Sequence, residues 1–159
     1  MKYSQKYTLV VFLEPIEVGA TFDMADWPLH ITIADVFAID LNSQVNQQLS
    51  KLAAQQERLS LSVGDDAVLG ITKVVLINSD NNLQGLHENI IDLLNQYGAK
   101  FNTPEFTRKG FIAHSTIQKT GRLKKGDKID IASISIVDML VGGDWQKRKV
   151  LDSFYLNQR

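Results

Sequence analysis

Hydrophobic positions along the chain switch between a period of two and a period near 3.6, and the switches divide it into elements. The run Tyr7-Thr8-Leu9-Val10-Val11-Phe12-Leu13 predicts a buried strand ended by Glu14-Pro15. A second strand is expected over Leu29 to Phe37, after Trp27-Pro28. From Leu41-Asn42-Ser43 the period turns helical, with Val45, Leu49, Leu52 and Ala53 on one face, a Ser or Asn cap, and an end near Arg58. Leu59-Ser60-Leu61-Ser62-Val63 alternates as a half-buried strand does, and Ile71 to Ile77 is a further apolar strand. The clearest helical stripe follows, from about Asn82 to Tyr97, through Leu83, Leu86, His87, Ile90, Ile91 and Leu94, with Gly98 as its stop. Phe111 to Gln118 reads as a strand, and Ile129 to Leu140 with Lys147 to Leu156 as a hairpin around Gly142-Gly143.

Two helices among about seven strands predict an α+β fold, with helices covering one face of mainly antiparallel sheet. Each helix lies near one strand that carries His-x-Thr, which suggests two similar lobes. At 159 residues the whole chain, 1–159, is the size of one domain, and no Pro/Gly/Ser-rich tract divides it. Seventeen Lys+Arg against eighteen Asp+Glu argue against binding long nucleic acid through global charge, while leaving room for a local basic patch. The absence of cysteine excludes disulfides, thiolate chemistry and cysteine-type zinc sites. The apolar run near the N-terminus is too short to span a bilayer and no cleavage pattern follows it, so a cytoplasmic protein is expected.

Histidine is scarce, with three in the chain, and two of them share a context: His30-Ile31-Thr32-Ile33 and His114-Ser115-Thr116-Ile117. Alternation along a strand puts His30 with Thr32, and His114 with Thr116, on one face, while Leu29, Ile31 and Ile33, or Phe111, Ala113, Ser115 and Ile117, take the other. Threonine fills about 5% of ordinary positions, so two of three histidines with Thr at +2 is roughly a one-in-a-hundred coincidence. Two imidazoles facing each other across a groove can serve as general base and general acid. The paired hydroxyls can donate to the non-bridging oxygens of a phosphate between them. That constellation suits in-line displacement at a phosphodiester without metal or cofactor.

The paired HITI and HSTI strands resemble the two-histidine (2H) phosphoesterase superfamily, in its 2′-5′ RNA ligase and cyclic phosphodiesterase branch. The resemblance covers nearly the whole chain, including the Leu83 to Leu94 helix before the second motif. The chain departs from the family in having Leu29 and Ala113 where proline often precedes the histidine. The resemblance implies a bilobal, pseudo-two-fold pair of antiparallel sheets with helices on the outer face and the motifs lining a central groove. It also implies hydrolysis of 2′,3′-cyclic phosphate ends of nucleotides or RNA, typically to a 2′-phosphate, by a monomer. Reversible 2′-5′ joining of RNA ends is one alternative, and a non-catalytic nucleotide- or RNA-end-binding module is another. On this basis His30 and His114 are the acid/base pair, in either order, and Thr32 and Thr116 the phosphate-holding hydroxyls.

Further candidates surround the motifs. Arg108 and Lys119 flank the second strand within a basic group that includes Lys109, Arg122, Lys124 and Lys125, and would draw a phosphate toward the groove. Gln118 continues the His114/Thr116 face and would bond a ribose or phosphate. Trp27 is a candidate base-stacking surface, with a place in the core as its alternative. His87 lies in an apolar helical stripe, so a satisfied, half-buried histidine is the better reading than a metal ligand.

Overall fold

In the computed structural model, which describes residues 5–78, 80–119 and 121–157, ten strands form two sheets and two helices pack beside them. The strands are β1 (Lys6–Phe12), β2 (Thr21–Asp23), β3 (His30–Ala38), β4 (Leu59–Leu69), β5 (Thr72–Ile77), β6 (Lys100–Phe101), β7 (His114–Thr116), β8 (Lys128–Ile131), β9 (Ser133–Asp138) and β10 (Lys147–Tyr155). The helices are α1 (Ser43–Gln55) and α2 (Asn81–Gln96). One sheet has the order β2-β10-β9-β1-β3-β6 and the other β7-β5-β4-β8. All strand pairings within them are antiparallel.

Both helices start where a side chain replaces the missing backbone partners. Asn42 accepts from the Gln44 and Val45 amides, and Asp80 accepts from the Leu83 amide. The α1 helix buries Val45, Leu49 and Ala53 against β10 and α2; α2 buries its stripe from Leu83 to Leu94 and reaches β3. These residues join Leu9, Ile31, Ile33 and Phe37 of the larger sheet and Leu61, Val63, Val75 and Ile131 of the smaller in one continuous apolar core. A second, smaller cluster of Val10, Val137 and Val150 lies under Phe12, Phe22 and Trp27.

Several expected boundaries move. The first helix ends at Gln55 rather than Arg58, because Gln56 is already extended ahead of β4. Ile71 leaves its expected strand and stands 99% exposed in the β4–β5 turn beside Gly70, whose φ is +65°. The expected strand over Phe111 to Gln118 contracts to three residues, following short 3-10 turns at Pro104–Phe106 and Arg108–Gly110. The largest correction concerns Ile129 to Leu140, which is not one strand. Its inward residues change parity, from Ile129 and Ile131 to Ile134 and Ile136, and the chain crosses at Ala132 from β8 in the smaller sheet to β9 in the larger. The β9–β10 hairpin then forms as expected, with Gly142 and Gly143 both at positive φ (58° and 86°), as a tight type I′ turn requires.

Candidate active site

The strands β3 and β7 lie side by side although each belongs to a different sheet. Pairing with β1 sets His30 opposite Phe12 and Thr32 opposite Val10, away from the core face taken by Ile31 and Ile33. On β7, Ala113 before the strand and Ser115 within it are buried, while His114 and Thr116 remain partly exposed. Three of the four motif side chains, Thr32, His114 and Thr116, thus line one cavity, with His30 two residues before Thr32 on β3. His114 lies near enough that its positive charge opposes protonation of His30.

The two imidazoles are held in the same way. His30 Nδ1 donates to the Pro28 carbonyl at 2.8 Å, and His114 Nδ1 donates to the Ile112 carbonyl at 2.7 Å. A carbonyl only accepts, so Nδ1 carries the proton in both rings and Nε2 is the nitrogen left for chemistry. In each case the carbonyl belongs to the residue two positions earlier.

Their surroundings differ. The His30 ring lies 4.1 Å from the Trp27 ring and 6.2 Å from Phe12, at the edge of the smaller apolar cluster. Burial pushes its pKa down from 6.5 to about 4; the Pro28 bond works against this, and positive charge on His114 and Arg148 adds to it. Arg148 is itself 7% exposed, donates to the Met139, Trp145 and Lys147 carbonyls, and sits 5.5 Å over the Trp27 ring. His114 opens instead onto a cavity of about 570 Å³, within the range of small-molecule sites.

That cavity is lined by Thr32, His114 and Thr116, by Val68 and Leu69 of the β4–β5 hairpin, and by Phe106, Phe111 and Ile112. It also holds Asp35, which simple alternation from Thr32 would bury with Ile33. The register explains the difference: β3 spends two residues, Thr32 to Ala34, where β1 spends one, Val10 to Leu9, so Ile33 and Ala34 both face the core. The Ala34 carbonyl inside this bulge accepts from the buried Thr8 hydroxyl at 2.7 Å. An acidic residue at a position that alternation assigns to the core was the signal available in the sequence.

The other sequence candidates are dispersed. Arg108, at a φ of 59°, turns outward and is held by Glu88 (2.9 Å) and Asp92 (2.7 Å) of α2. Arg122 pairs with Asp66 and Lys125 with Asp65, so much of the basic segment is neutralised locally. Lys119 is exposed just beyond β7 and enters no ion pair among the described residues, and Gln118 is half-buried in a backbone bridge with Gly121. Trp27 packs against His30 and beneath Arg148, which gives it a place in the wall behind the histidine. His87 is fully engaged, and at 1% exposure more buried than its helical stripe implied. Its Nδ1 donates to the Ile33 carbonyl (2.7 Å), its Nε2 accepts the Arg108 amide (2.9 Å), and its ring stacks on Phe111 at 4.0 Å. Burial lowers its pKa and keeps it in this neutral form.

The fold has solved counterparts. A crystal structure described as a phosphoesterase superposes with a TM-score of 0.62 at 16% identity, covering 97% of this chain and 99% of that one. Escherichia coli LigT, crystallised with 3′-AMP, gives 0.61 at 16% identity over 97% and 99%. TT0787 of Thermus thermophilus gives 0.65 at 12% identity over 97% and 100%. No curated protein sequence matches the chain. The profile of the 2′-5′ RNA ligase superfamily matches residues 9–130, which include both histidine motifs. This match over most of the chain, which takes in two neighbouring His-x-Thr strands from two antiparallel sheets, makes the chain a member of the 2′-5′ RNA ligase superfamily of two-histidine phosphoesterases.

Proposed function

We propose that the groove hydrolyses 2′,3′-cyclic phosphate ends of nucleotides or RNA, with His30 as general base and His114 as general acid. The observation that carries this reading is the matched pair of imidazoles on the neighbouring strands β3 and β7, each giving Nδ1–H to the carbonyl two residues back, which leaves both Nε2 atoms for chemistry. That Escherichia coli LigT was crystallised with 3′-AMP supports a nucleotide as the ligand of this chain.

The burial of His30 supports this order of roles. At neutral pH its Nε2 holds no proton and can take one from an attacking water. A base of such low pKa is weak in the free protein, but an anionic phosphate beside it favours the imidazolium and strengthens it as substrate binds. The water oxygen forms a bond to phosphorus as the bond to the ribose 3′ oxygen breaks. His30 keeps the water's proton, and His114 Nε2–H protonates the departing oxygen. The Thr32 and Thr116 hydroxyls donate to the non-bridging oxygens, where charge is greatest in the transition state. With an RNA 5′-hydroxyl in place of water, the same groove would join ends instead. Lys119, exposed and without an ion-pair partner among the described residues, is the cation best placed in sequence to draw the phosphate in.

Replacing His30 or His114 by Ala is expected to lower turnover of nucleoside 2′,3′-cyclic phosphates by about 10²–10⁴-fold with the thermal transition retained. Assays with chelator present and product mapping by chromatography check this, and a double variant with full activity would refute the assignment. Labelled RNA halves, in the same assays, separate joining from hydrolysis.

A further inference from the structure

Asp35 is a carboxylate placed in the cavity by a bulge, and the proposed reaction does not use it. Its Oδ1 accepts the Val36 amide at 2.8 Å and its Oδ2 accepts the Thr103 hydroxyl at 2.9 Å, so its orientation is fixed. It forms no ion pair with any described residue. Each oxygen keeps a lone pair for a further donor. Around it the wall is mixed, with Thr32, Thr72, His114 and Thr116 on one hand and an exposed apolar rim on the other: Val68 is 62% exposed, Phe106 45% and Ile112 40%. A flat group with apolar faces and a donor-bearing edge satisfies both kinds of wall.

We infer that this cavity takes the nucleobase of the substrate and that Asp35 selects guanine through its Watson–Crick edge. The inference rests on the reading of the groove as a nucleotide phosphodiester site. Three residue steps along the bulged strand lead from Thr32, at the phosphate in the proposed reaction, to Asp35, a span of at most about 10 Å. A nucleoside bridges that span from its 2′,3′ edge to the far edge of its base. Guanine alone among the four bases offers two adjacent donors there, N1–H and N2–H, at the spacing a carboxylate accepts in bidentate fashion. Adenine and cytosine each offer one amino group beside a ring acceptor, and uracil one N–H between two carbonyl oxygens, so each sets at least one lone pair against the carboxylate. Phe111, held flat by His87 at 4.0 Å, and the Val68-Leu69 edge of the hairpin supply surfaces for the ring faces.

The test compares kcat/KM for the 2′,3′-cyclic phosphates of guanosine, adenosine, cytidine and uridine, and calorimetric binding of guanosine and uridine 3′-monophosphates. The wild-type protein is expected to favour guanosine by at least about tenfold in both measurements. Asp35→Asn, nearly isosteric and able to accept the Val36 amide with its oxygen while its NH2 donates to the Thr103 hydroxyl, is expected to bring the guanosine-to-uridine ratio close to one. Turnover of all four substrates with equal kcat/KM, or a ratio unchanged by Asp35→Asn, overturns the inference and leaves the proposed activity standing. Guanine-selective binding that Asp35→Asn abolishes, without turnover of any substrate, supports the inference and refutes the activity. Neither binding nor turnover overturns both.

Discussion

Trp27 touches both the His30 imidazole and the Arg148 guanidinium, and so sets a cation behind a ring whose protonation burial already disfavours. Arg148 is buried without a carboxylate partner among the described residues, which keeps its charge available to act on His30. The pH dependence follows. The acidic limb of kcat/KM reports free His30 and should fall near pH 4, while that of kcat should lie higher because the bound phosphate favours the imidazolium. Arg148→Met should raise the His30 pKa, read by NMR, toward but short of the free value, since burial remains. Stability carries the same signature. Between about 6.5 and 4 the unfolded chain binds a proton at this position that the folded chain refuses, so the protein loses stability as pH falls through that window, by roughly 3 kcal/mol in all. An unfolding free energy that stays flat from pH 7 to 4 in denaturant titrations would contradict this account.

Among elements, legibility in the sequence tracks the regularity of the pattern. The α2 stripe obeys one period over its length and the Gly142-Gly143 turn carries its own residue signal, and both form where the sequence predicts them, within a residue or two for the helix ends. The cap rule also applies: Asn42→Ala and Asp80→Ala should each lower the unfolding free energy by about 1 kcal/mol, measured by urea titration. The misread elements are those where the pattern slips by one residue. In β3 the slip at Ile33-Ala34 makes two neighbours face inward and turns Asp35 into the cavity. In the Ile129 to Leu140 stretch it marks the crossing between sheets. A window that assumes unbroken alternation averages over both slips, although the side chains record them. The short edge strands β2 and β6 have too few residues for any period to show.

For the molecule as a whole, the core was readable and the way the sheets face each other was not, because register across distant strands is set by packing that no local window contains. His87 illustrates the point. As a residue it reads as a satisfied histidine in a helix; in the fold it joins α2 to the first motif strand through Ile33 and to the approach of the second through Arg108 and Phe111. His87→Leu fills the space but leaves a carbonyl and an amide without their partner. It should cost about 2–5 kcal/mol and lower kcat more than it raises KM, since both histidines depend on the spacing it maintains. Thermal unfolding and steady-state kinetics together check this, and a stable variant with unchanged kcat would show that His87 only fills space.

The carbonyls of Pro28 and Ile112 hold the two imidazoles, and every amino acid has a carbonyl. The aim of each ring is therefore written into the path of the main chain and makes no demand on which side chain stands at those two positions. A site oriented in this way can survive wholesale replacement of its neighbours, provided the strands run as before and each keeps its histidine and threonine. Solved structures at 12–16% identity share the fold over nearly their full length.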